Sequence, residues 1–187
     1  MRSRHFFVSA ALVCAGITSA HAVALPANGQ WLPFDVAFDL SGNLNWLNIN
    51  DGSALSFSFN VPAGQVGKLT VVDGGFAGDR FAVTANPGVA LGTTSAAVNS
   101  YPSNVYLDFD AAMANPSYSR NVFTLTPGTY NISGSLLSSA LDDSGTALNT
   151  TVGGIQLTLA AVPEPSTALS FFVGLVALVA GLRRRFI

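Results

Sequence analysis

Residues 54–64 read ALSFSFNVPAG, and apolar and polar side chains alternate through them up to a Pro-Ala-Gly turn. In an extended chain, successive side chains point to opposite faces, so the apolar set shares one face and the polar set the other. Asp51-Gly52 precedes the run, so both flanks carry residues that favour turns. The stretch therefore predicts a β-strand with one buried face. The apolar set is Leu55, Phe57, Phe59 and Val61.

The same two-residue period recurs along the chain between turn signals, without a long stretch of helical periodicity. About eight to ten short strands at close spacing are typical of an all-β, antiparallel β-sandwich, and we expect a jelly-roll topology. A parallel β-helix is the alternative, but no repeat of fixed period supports it. The other strand candidates contain Trp31, Phe34, Val36, Phe38 and Leu40; residues 46–49; residues 68–72; Phe81 and Val83; Val89 and Leu91; Val105, Leu107 and Phe109; residues 122–126; Tyr130 and Ile132; and Ile155, Leu157 and Leu159.

Three connections can be predicted from the residues between these candidates. Pro127-Gly128 lies between two strand candidates and indicates a hairpin around a Pro-Gly turn. Residues 110–115 have the length of one helical turn, with Asp110 as its N-cap. Residues 142–145 are polar and predict a solvated loop before the last strand.

The first 22 residues have the parts of a secretory signal peptide. A basic n-region at residues 2–5 precedes an apolar segment at 6–17, which we expect to be helical, and an A-x-A cleavage site at 20–22. A retained N-terminal anchor is the alternative. Cleavage after residue 22 would leave residues 23–161 as the ectodomain, which is long enough for one domain with its own core.

Residues 162–187, VPEPSTALSFFVGLVALVAGLRRRFI, contain three parts in order. As a helix, the apolar part would measure about 23 Å, short of a hydrocarbon core of about 30 Å, so flanking side chains would help it to span. Arginines resist translocation, so we expect them in the cytoplasm and the ectodomain outside. A permanent C-terminal anchor is the alternative. The parts are the motif at 162–167 with Pro163, Glu164 and Pro165, the transmembrane helix at 168–182, and the basic tail at 183–187 with Arg183, Arg184 and Arg185.

This order of Pro-Glu-Pro, apolar helix and arginine cluster resembles the PEP-CTERM sorting signal, which exosortases of Gram-negative bacteria are believed to process. The resemblance implies an exosortase and the inner membrane as partners. It also implies export across that membrane, anchoring by the C-terminal helix before processing, and a final place at the cell surface or outside the cell. Related tails occur on proteins of bacteria that make exopolysaccharide, and on proteins catalogued as ice-binding. The signal itself says nothing about what the ectodomain binds.

The ectodomain resembles the body of a group of uncharacterised secreted PEP-CTERM proteins, and some fungal secreted proteins have similar stretches. No catalytic or ligand residue is established for that group, so the resemblance implies none here. The stretches that carry it are residues 71–81 (VVDGGFAGDRF), 91–95 (LGTTS), 118–120 (YSR) and 125–130 (LTPGTY).

The composition excludes several kinds of site. The single cysteine, Cys14, and both histidines, His5 and His21, lie in the predicted signal peptide. The mature chain would therefore lack a disulfide, a thiolate or imidazole nucleophile, and a zinc site built from His or Cys. Three basic residues against nine aspartates give residues 23–161 a formal charge of −6. An acidic surface repels phosphate backbones, so we expect no nucleic-acid partner.

One acidic cluster, Asp108, Asp110 and Asn115, follows a strand candidate and has two interpretations. Oxygen ligands on a loop suit a hard cation, so a calcium site is one of them. The cluster lacks the spacing and the glycine of an EF-hand loop, and an Asx turn with a helix cap is the other interpretation. The residues favour the cap, and we expect no cofactor.

Asp79 stands beside Arg80, one of the few basic residues of the ectodomain. Its carboxylate is expected to pair with Arg120 or to cap a backbone turn, and we interpret it as structural. The aromatic residues suited to stacking on sugars are Trp31, Trp46, Tyr101, Tyr106 and Tyr118, although aromatic side chains of small sandwiches mostly belong to the core.

The sequence therefore leads to the hypothesis of a surface or extracellular-matrix protein with a non-enzymatic sandwich for adhesion or glycan contact. The alternative is a secreted hydrolase that uses aspartates, such as a glycosidase, which would need two carboxyl groups across a reactive site. A cleft with two facing aspartates would favour the hydrolase. A flat aromatic face or a surface without such a cleft would favour the binding protein.

Overall fold

The computed structural model describes residues 21–162 except Leu40 and Pro87. These residues form ten strands and one short helix, so the chain is mostly β-sheet, as predicted. In chain order the elements are β1 (His21–Ala24), β2 (Leu32–Phe38), β3 (Leu44–Leu47), β4 (Leu55–Val61), β5 (Gln65–Asp73), β6 (Arg80–Ala85), β7 (Val89–Thr93), α1 (Phe109–Ala114), β8 (Arg120–Leu125), β9 (Gly128–Ser138) and β10 (Thr151–Ala161).

Hydrogen bonds arrange the strands in two halves. One half has the order β8-β5-β10-β2-β3, and the other has the order β1-β4-β9-β6-β7. A bridge between Asn45 and Ser135 joins β3 to β9 and so links the halves. Among the described residues, the paired strands are antiparallel except for β1 with β4, which corrects the antiparallel expectation at that edge. β1 reaches β4 after the chain has crossed through β2 and β3, and such a crossover allows the parallel direction.

The chain passes repeatedly from one half to the other, and this overturns the predicted hairpin at Pro127-Gly128. β8 pairs with β5 in the first half, whereas β9 pairs with β4 and β6 in the second. Leu125 and Ile132 both lie in the main core, one contributed by each half. The Pro-Gly turn therefore carries the chain across the core instead of folding it back on its neighbour.

The inner faces of the two halves share one hydrophobic core. Phe34 stacks on Trp46 with ring centroids 4.0 Å apart, and both rings meet Phe81 of the opposite half edge-on. Two glycines leave room for these rings, since a Cβ at Gly153 would lie 2.2 Å from the Phe34 ring and one at Gly134 would lie 2.4 Å from Trp46. Close ring packing of this kind contributes much of the burial energy of a small domain.

The predicted strand through Val105, Leu107 and Phe109 is wrong, because a loop there leads into α1. Tyr106 has a φ of +53°, which interrupts an extended backbone. Phe109 is buried in a second, smaller cluster with Tyr118, where its ring packs over the bare backbone of β10. Of the three alternating apolar residues, Val105 and Phe109 pack in this second cluster, whereas Leu107 is 51% exposed.

The predictions for the two ends fall mostly outside the described residues. These include residues 1–20, the sorting motif Pro163, Glu164 and Pro165, the helix at 168–182, and the flank Arg183, Arg184 and Arg185. The last residues of the predicted signal peptide, His21 and Ala22, form the first half of β1. Within the described part of the chain, no helix has the length and apolar character needed to cross a membrane.

Candidate functional site

The five aromatic residues suited to sugar stacking differ in exposure. Trp46 and Tyr118 are at most 1% exposed and belong to the two cores. Trp31 and Tyr101 are partly buried. Tyr106 is 74% exposed, which makes it the aromatic side chain of this set that a large ligand can reach.

Tyr106 lies at a surface depression of about 330 Å³, which we call the Tyr106 pocket. The depression is found where β10 begins, beside the loop that leads into α1. Its surface is mostly apolar, because Leu107 and Ile49 add exposed aliphatic side chains next to the phenol ring. The exposed or half-buried polar side chains of its lining are Asp35, Asn104 and Thr150.

The backbone that carries Tyr106 is held by hydrogen bonds on both sides. The Asn104 side chain accepts a hydrogen bond from the Tyr106 N–H and stabilises its left-handed conformation. The Gly75 N–H donates to the Tyr106 carbonyl at 3.0 Å, and the Gly75 carbonyl accepts from the Val105 N–H at 3.0 Å. The ring is therefore presented to solvent by a backbone that needs no ordering when a ligand binds, which saves entropy on binding.

Asp35 supplies the carboxyl group at the Tyr106 pocket. Burial raises the pKa of this group, and a 3.0 Å hydrogen bond from the Val36 N–H acts in the opposite direction. Carboxyl oxygens accept hydrogen bonds from hydroxyl groups, while the tyrosine ring offers an apolar surface. The pocket thus suits a hydroxylated ligand that has one apolar face.

The structure places Asp108, Asp110 and Asn115 at the two ends of α1, as the capping interpretation requires. Asp108 Oδ1 accepts a hydrogen bond from the Ala111 N–H at 2.9 Å, so the N-cap is Asp108 and the prediction of Asp110 is wrong by two residues. Asp110 Oδ1 accepts from the Trp31 indole N–H at 2.9 Å. No group of three or more His, Cys, Asp or Glu side chains suited to a metal ion is present among the described residues.

We expect a chelator to leave the melting temperature of the purified protein unchanged. An ion bound only by the native state would stabilise it by mass action, so its removal would lower that temperature. Asp108→Ala should instead cost about 1 kcal/mol through the lost cap, with or without chelator. A chelator-sensitive melt that Asp108→Asn with Asp110→Asn abolishes would establish calcium at this cluster. Thermal unfolding followed by circular dichroism measures both effects.

A second pair of aspartates, Asp73 and Asp79, lies in the interior, at 0% and 1% exposure. Burial raises the pKa of Asp73 to about 9, and repulsion from Asp79 adds to the rise. Burial also raises the pKa of Asp79, against the effect of hydrogen bonds that include one from the Ala140 N–H. Sequence reasoning did not identify this pair as a unit, because its interior position depends on how loop 73–79 packs against β10 and the segment after β9.

Arg120 does not pair with Asp79 as one sequence interpretation had it. Its guanidinium donates to the carbonyls of Met113 at 2.6 Å and Asn115 at 3.0 Å, at the C-terminal end of α1. A cation there satisfies carbonyls that the helix leaves without partners. Asp79 Oδ1 instead accepts a hydrogen bond from the Ala140 N–H at 2.7 Å. Its carboxyl group thus binds the backbone, which agrees with the interpretation of Asp79 as a residue that caps a turn.

Comparison with known proteins gives two distant structural likenesses. The pre-peptidase C-terminal domain of a collagenase from Bacillus anthracis is 9% identical, with 75% of this chain and 95% of that domain covered at a TM-score of 0.39. The C-terminal CBM6 of LamC, a marine laminarinase from Zobellia galactanivorans, is 16% identical, with 68% and 99% covered at a TM-score of 0.28. No curated protein matches the sequence significantly.

The sequence comparison with protein families matches the part of the chain that follows β10. There, the Pro-Glu-Pro motif, the apolar run and the arginines occur in the order described above. A motif of this kind implies export and processing by an exosortase, a membrane enzyme of Gram-negative bacteria. Residues 161–185 match the PEP-CTERM protein-sorting motif, and the chain therefore carries a PEP-CTERM sorting signal.

Proposed function

We propose that this chain is an exported cell-surface or extracellular-matrix protein whose ectodomain is a non-enzymatic module for contact with extracellular polysaccharide. The exosortase delivers the module, and the Tyr106 pocket makes the contact. The observation that carries the proposal is the pocket itself, which combines an exposed, fixed aromatic ring with a carboxyl group at its edge.

In the proposed contact, one sugar unit of the polysaccharide stacks on Tyr106. The C–H face of one sugar ring packs on the Tyr106 ring, and its edge packs on Leu107 and Ile49. The hydroxyl groups of the same sugar donate to Asp35 and exchange hydrogen bonds with Thr150. A single such contact is weak, and many copies of the protein along one polymer raise the total strength by multivalency.

The jelly-roll arrangement of two sheets is part of the proposal. Its support is the alternation of the chain between β2-β10-β5-β8 on one side and β4-β9-β6-β7 on the other, around one shared core. In this arrangement β1 and β3 are additional strands at the ends of the two sets. The loops then gather at the ends of the strands, which is where the Tyr106 pocket lies.

The distribution of aspartates supports binding over hydrolysis. A glycosidase needs two carboxyl groups that its substrate reaches, about 5 to 10 Å apart. The closely placed pair, Asp73 and Asp79, is sealed in the interior. In the Tyr106 pocket, as far as the described residues show, Asp35 is the single acidic residue of the lining.

Tyr106→Ala is expected to weaken binding of residues 23–161 to its polysaccharide about tenfold, because the ring supplies the stacking surface. A glycan array identifies the ligand, and titration calorimetry measures the dissociation constant. Phe38→Ala is the matched control, since Phe38 is 60% exposed and lies outside the pocket. Equal loss in both variants, or release of reducing sugar by the unmodified protein, would contradict the proposal, and the second result would favour the hydrolase.

A further inference from the structure

A second surface depression lies beside β9, where the two halves of the sheet meet. β9 pairs with β4 as far as Ile132, which lies opposite Phe57, and it is bridged to β3 at Ser135, opposite Asn45. β6 pairs with β9 at both of these points, so β4 and β3 share the other edge of β9. Among the described residues, positions 133 and 134 therefore have no strand partner on that edge.

The gap opens into a depression of about 340 Å³, which we call the Trp46 pocket. The side chains that line it within the described part of the chain carry no charge. Its polar groups come from asparagine, serine and threonine residues, and Ala54 and Leu55 add apolar surface. Pockets for small ligands measure about 300 to 1,000 Å³, so this one has room for a single small molecule.

Trp46 forms the bottom of the pocket, because it belongs to the lining and yet is only 1% exposed. A Cβ at Gly134 would lie 2.4 Å from Cε2 of Trp46, the ring carbon that is bonded to the indole nitrogen. Gly134 also belongs to the lining and has no side chain to cover this edge of the ring. The N–H edge of the indole therefore lies beside the gap.

The indole N–H of Trp46 lacks a hydrogen-bond acceptor. Its nitrogen, Nε1, is buried and makes no hydrogen bond to any described residue. The other tryptophan, Trp31, donates its indole N–H to Asp110 Oδ1 at 2.9 Å. A buried donor without a partner is costly, and buried indole N–H groups usually have one. The unpaired donor of Trp46 therefore points to an acceptor that a ligand brings into the pocket.

Two asparagines at the pocket offer further groups to a ligand. The Asn131 N–H donates to Asn86 Oδ1 at 3.0 Å, and the Asn86 N–H donates to the Asn131 carbonyl at 2.7 Å. These bonds fix the two residues side by side. Neither the Asn86 Nδ2 group nor the Asn131 side chain has a hydrogen-bond partner among the described residues, and both residues are exposed. Their amides are therefore available on a backbone that is already in place.

We propose that the Trp46 pocket is a binding site for one neutral sugar unit, an oxygen of which accepts the hydrogen bond of the Trp46 indole. Sugar hydroxyl groups both donate and accept, so they match an indole that only donates and amides that do both. A charged ligand fits poorly, because the lining has no charge to compensate it and the ectodomain is acidic.

This site is separate from the Tyr106 pocket, since the two share no lining residue. A module with both sites holds a polysaccharide at two points, and the combined contact is stronger than either one. That consequence rests on the proposed function. The sugar site itself does not, because it needs neither Tyr106 nor a polymer.

The test uses the two indole N–H resonances of the processed, ¹⁵N-labelled protein. Glucose, galactose, mannose and N-acetylglucosamine are added separately, up to millimolar concentrations. We expect at least one of them to shift the Trp46 indole resonance to saturation, while that of Trp31, which already has an acceptor, stays in place. Asn131→Ala should weaken this binding about fivefold, the effect of one lost hydrogen bond. Asn60→Ala is the control, since Asn60 is an exposed asparagine of β4 outside the lining.

A Trp46 resonance that none of these neutral sugars moves would overturn the proposal, and so would equal weakening by both variants. A larger shift with glucuronate than with the neutral sugars would overturn the assignment to a neutral ligand. If Asn131→Ala does not fold, the titration of the unmodified protein decides.

Tyr106→Ala separates this inference from the proposed function, and it should leave the Trp46 titration unchanged. A normal Trp46 titration, together with equal binding of polysaccharide by Tyr106→Ala and the unmodified protein, would refute the proposed function alone. Weaker polysaccharide binding by Tyr106→Ala, without any Trp46 titration, would refute this inference alone.

Discussion

Protein recovered from a host with an active exosortase is expected to end near Glu164, without the arginines that follow. Replacement of Pro163, Glu164 and Pro165 by alanine is expected to leave nearly all of the chain at full length in the membrane. Proline disfavours helix and favours an extended backbone, and an extended backbone is the form that proteases and transpeptidases bind. Intact-mass spectrometry of the membrane and secreted fractions measures both results.

The matched control is a triple alanine replacement at Asp142, Asp143 and Ser144. These residues lie in the loop between β9 and β10, outside the motif. It should be processed like the unmodified protein. A mature protein that retains Arg183 to Arg185 in such a host would show that the tail is a permanent anchor. Processing that continues after the Pro-Glu-Pro replacement would show that the enzyme recognises another part of the tail.

Gly153→Ala is expected to destabilise the protein by about 3 kcal/mol or more, which lowers the melting temperature by about 10 °C. The added methyl group would lie 2.2 Å from the Phe34 ring, so one of the two must move. Phe34 cannot yield easily, because Trp46 stacks against it and Phe81 meets its edge. Chemical denaturation followed by tryptophan fluorescence measures the loss.

A double-mutant cycle separates overpacking from other effects of alanine. Phe34→Leu removes the ring, so Gly153→Ala in that background should cost much less than in the unmodified protein. Gly145→Ala is the control for backbone conformation. Gly145 has a φ of +80° and open space around it. Gly145→Ala should therefore lower the free energy of unfolding by only about 1 kcal/mol. A small effect of Gly153→Ala alone would mean that the halves of the sheet are less tightly packed than the rings indicate.

The strands were predictable wherever one face of a strand is buried and the other is wet. β4 is an example, since Leu55, Phe57, Phe59 and Val61 are all buried, although Ser56 on the polar face is buried too. The same rule failed at residues 105–109, where Val105 and Phe109 pack in the second cluster but Leu107 is exposed. Alternation over three apolar residues does not distinguish a strand from a loop that leads into a helix.

The candidate site was only partly predictable, since it depends on contacts between distant parts of the chain. Tyr106 was among five aromatic candidates, and its exposure follows from a left-handed backbone that Asn104 and Gly75 stabilise. The pair of Asp73 and Asp79 looked like two turn residues. Their burial appears only when β10 and the segment after β9 close over the loop, and no spacing within residues 73–79 indicates it.

β10 also separates the Tyr106 pocket from the sorting motif. The Tyr106 pocket lies at its first residues, and the sorting motif follows its last, where the Val162 N–H donates to the Gly64 carbonyl at 2.9 Å. Eleven residues of strand separate the two by about 33 Å. An attachment made at the C-terminal end of β10 is therefore expected to leave the pocket at the opposite end of this strand, free to contact a polymer.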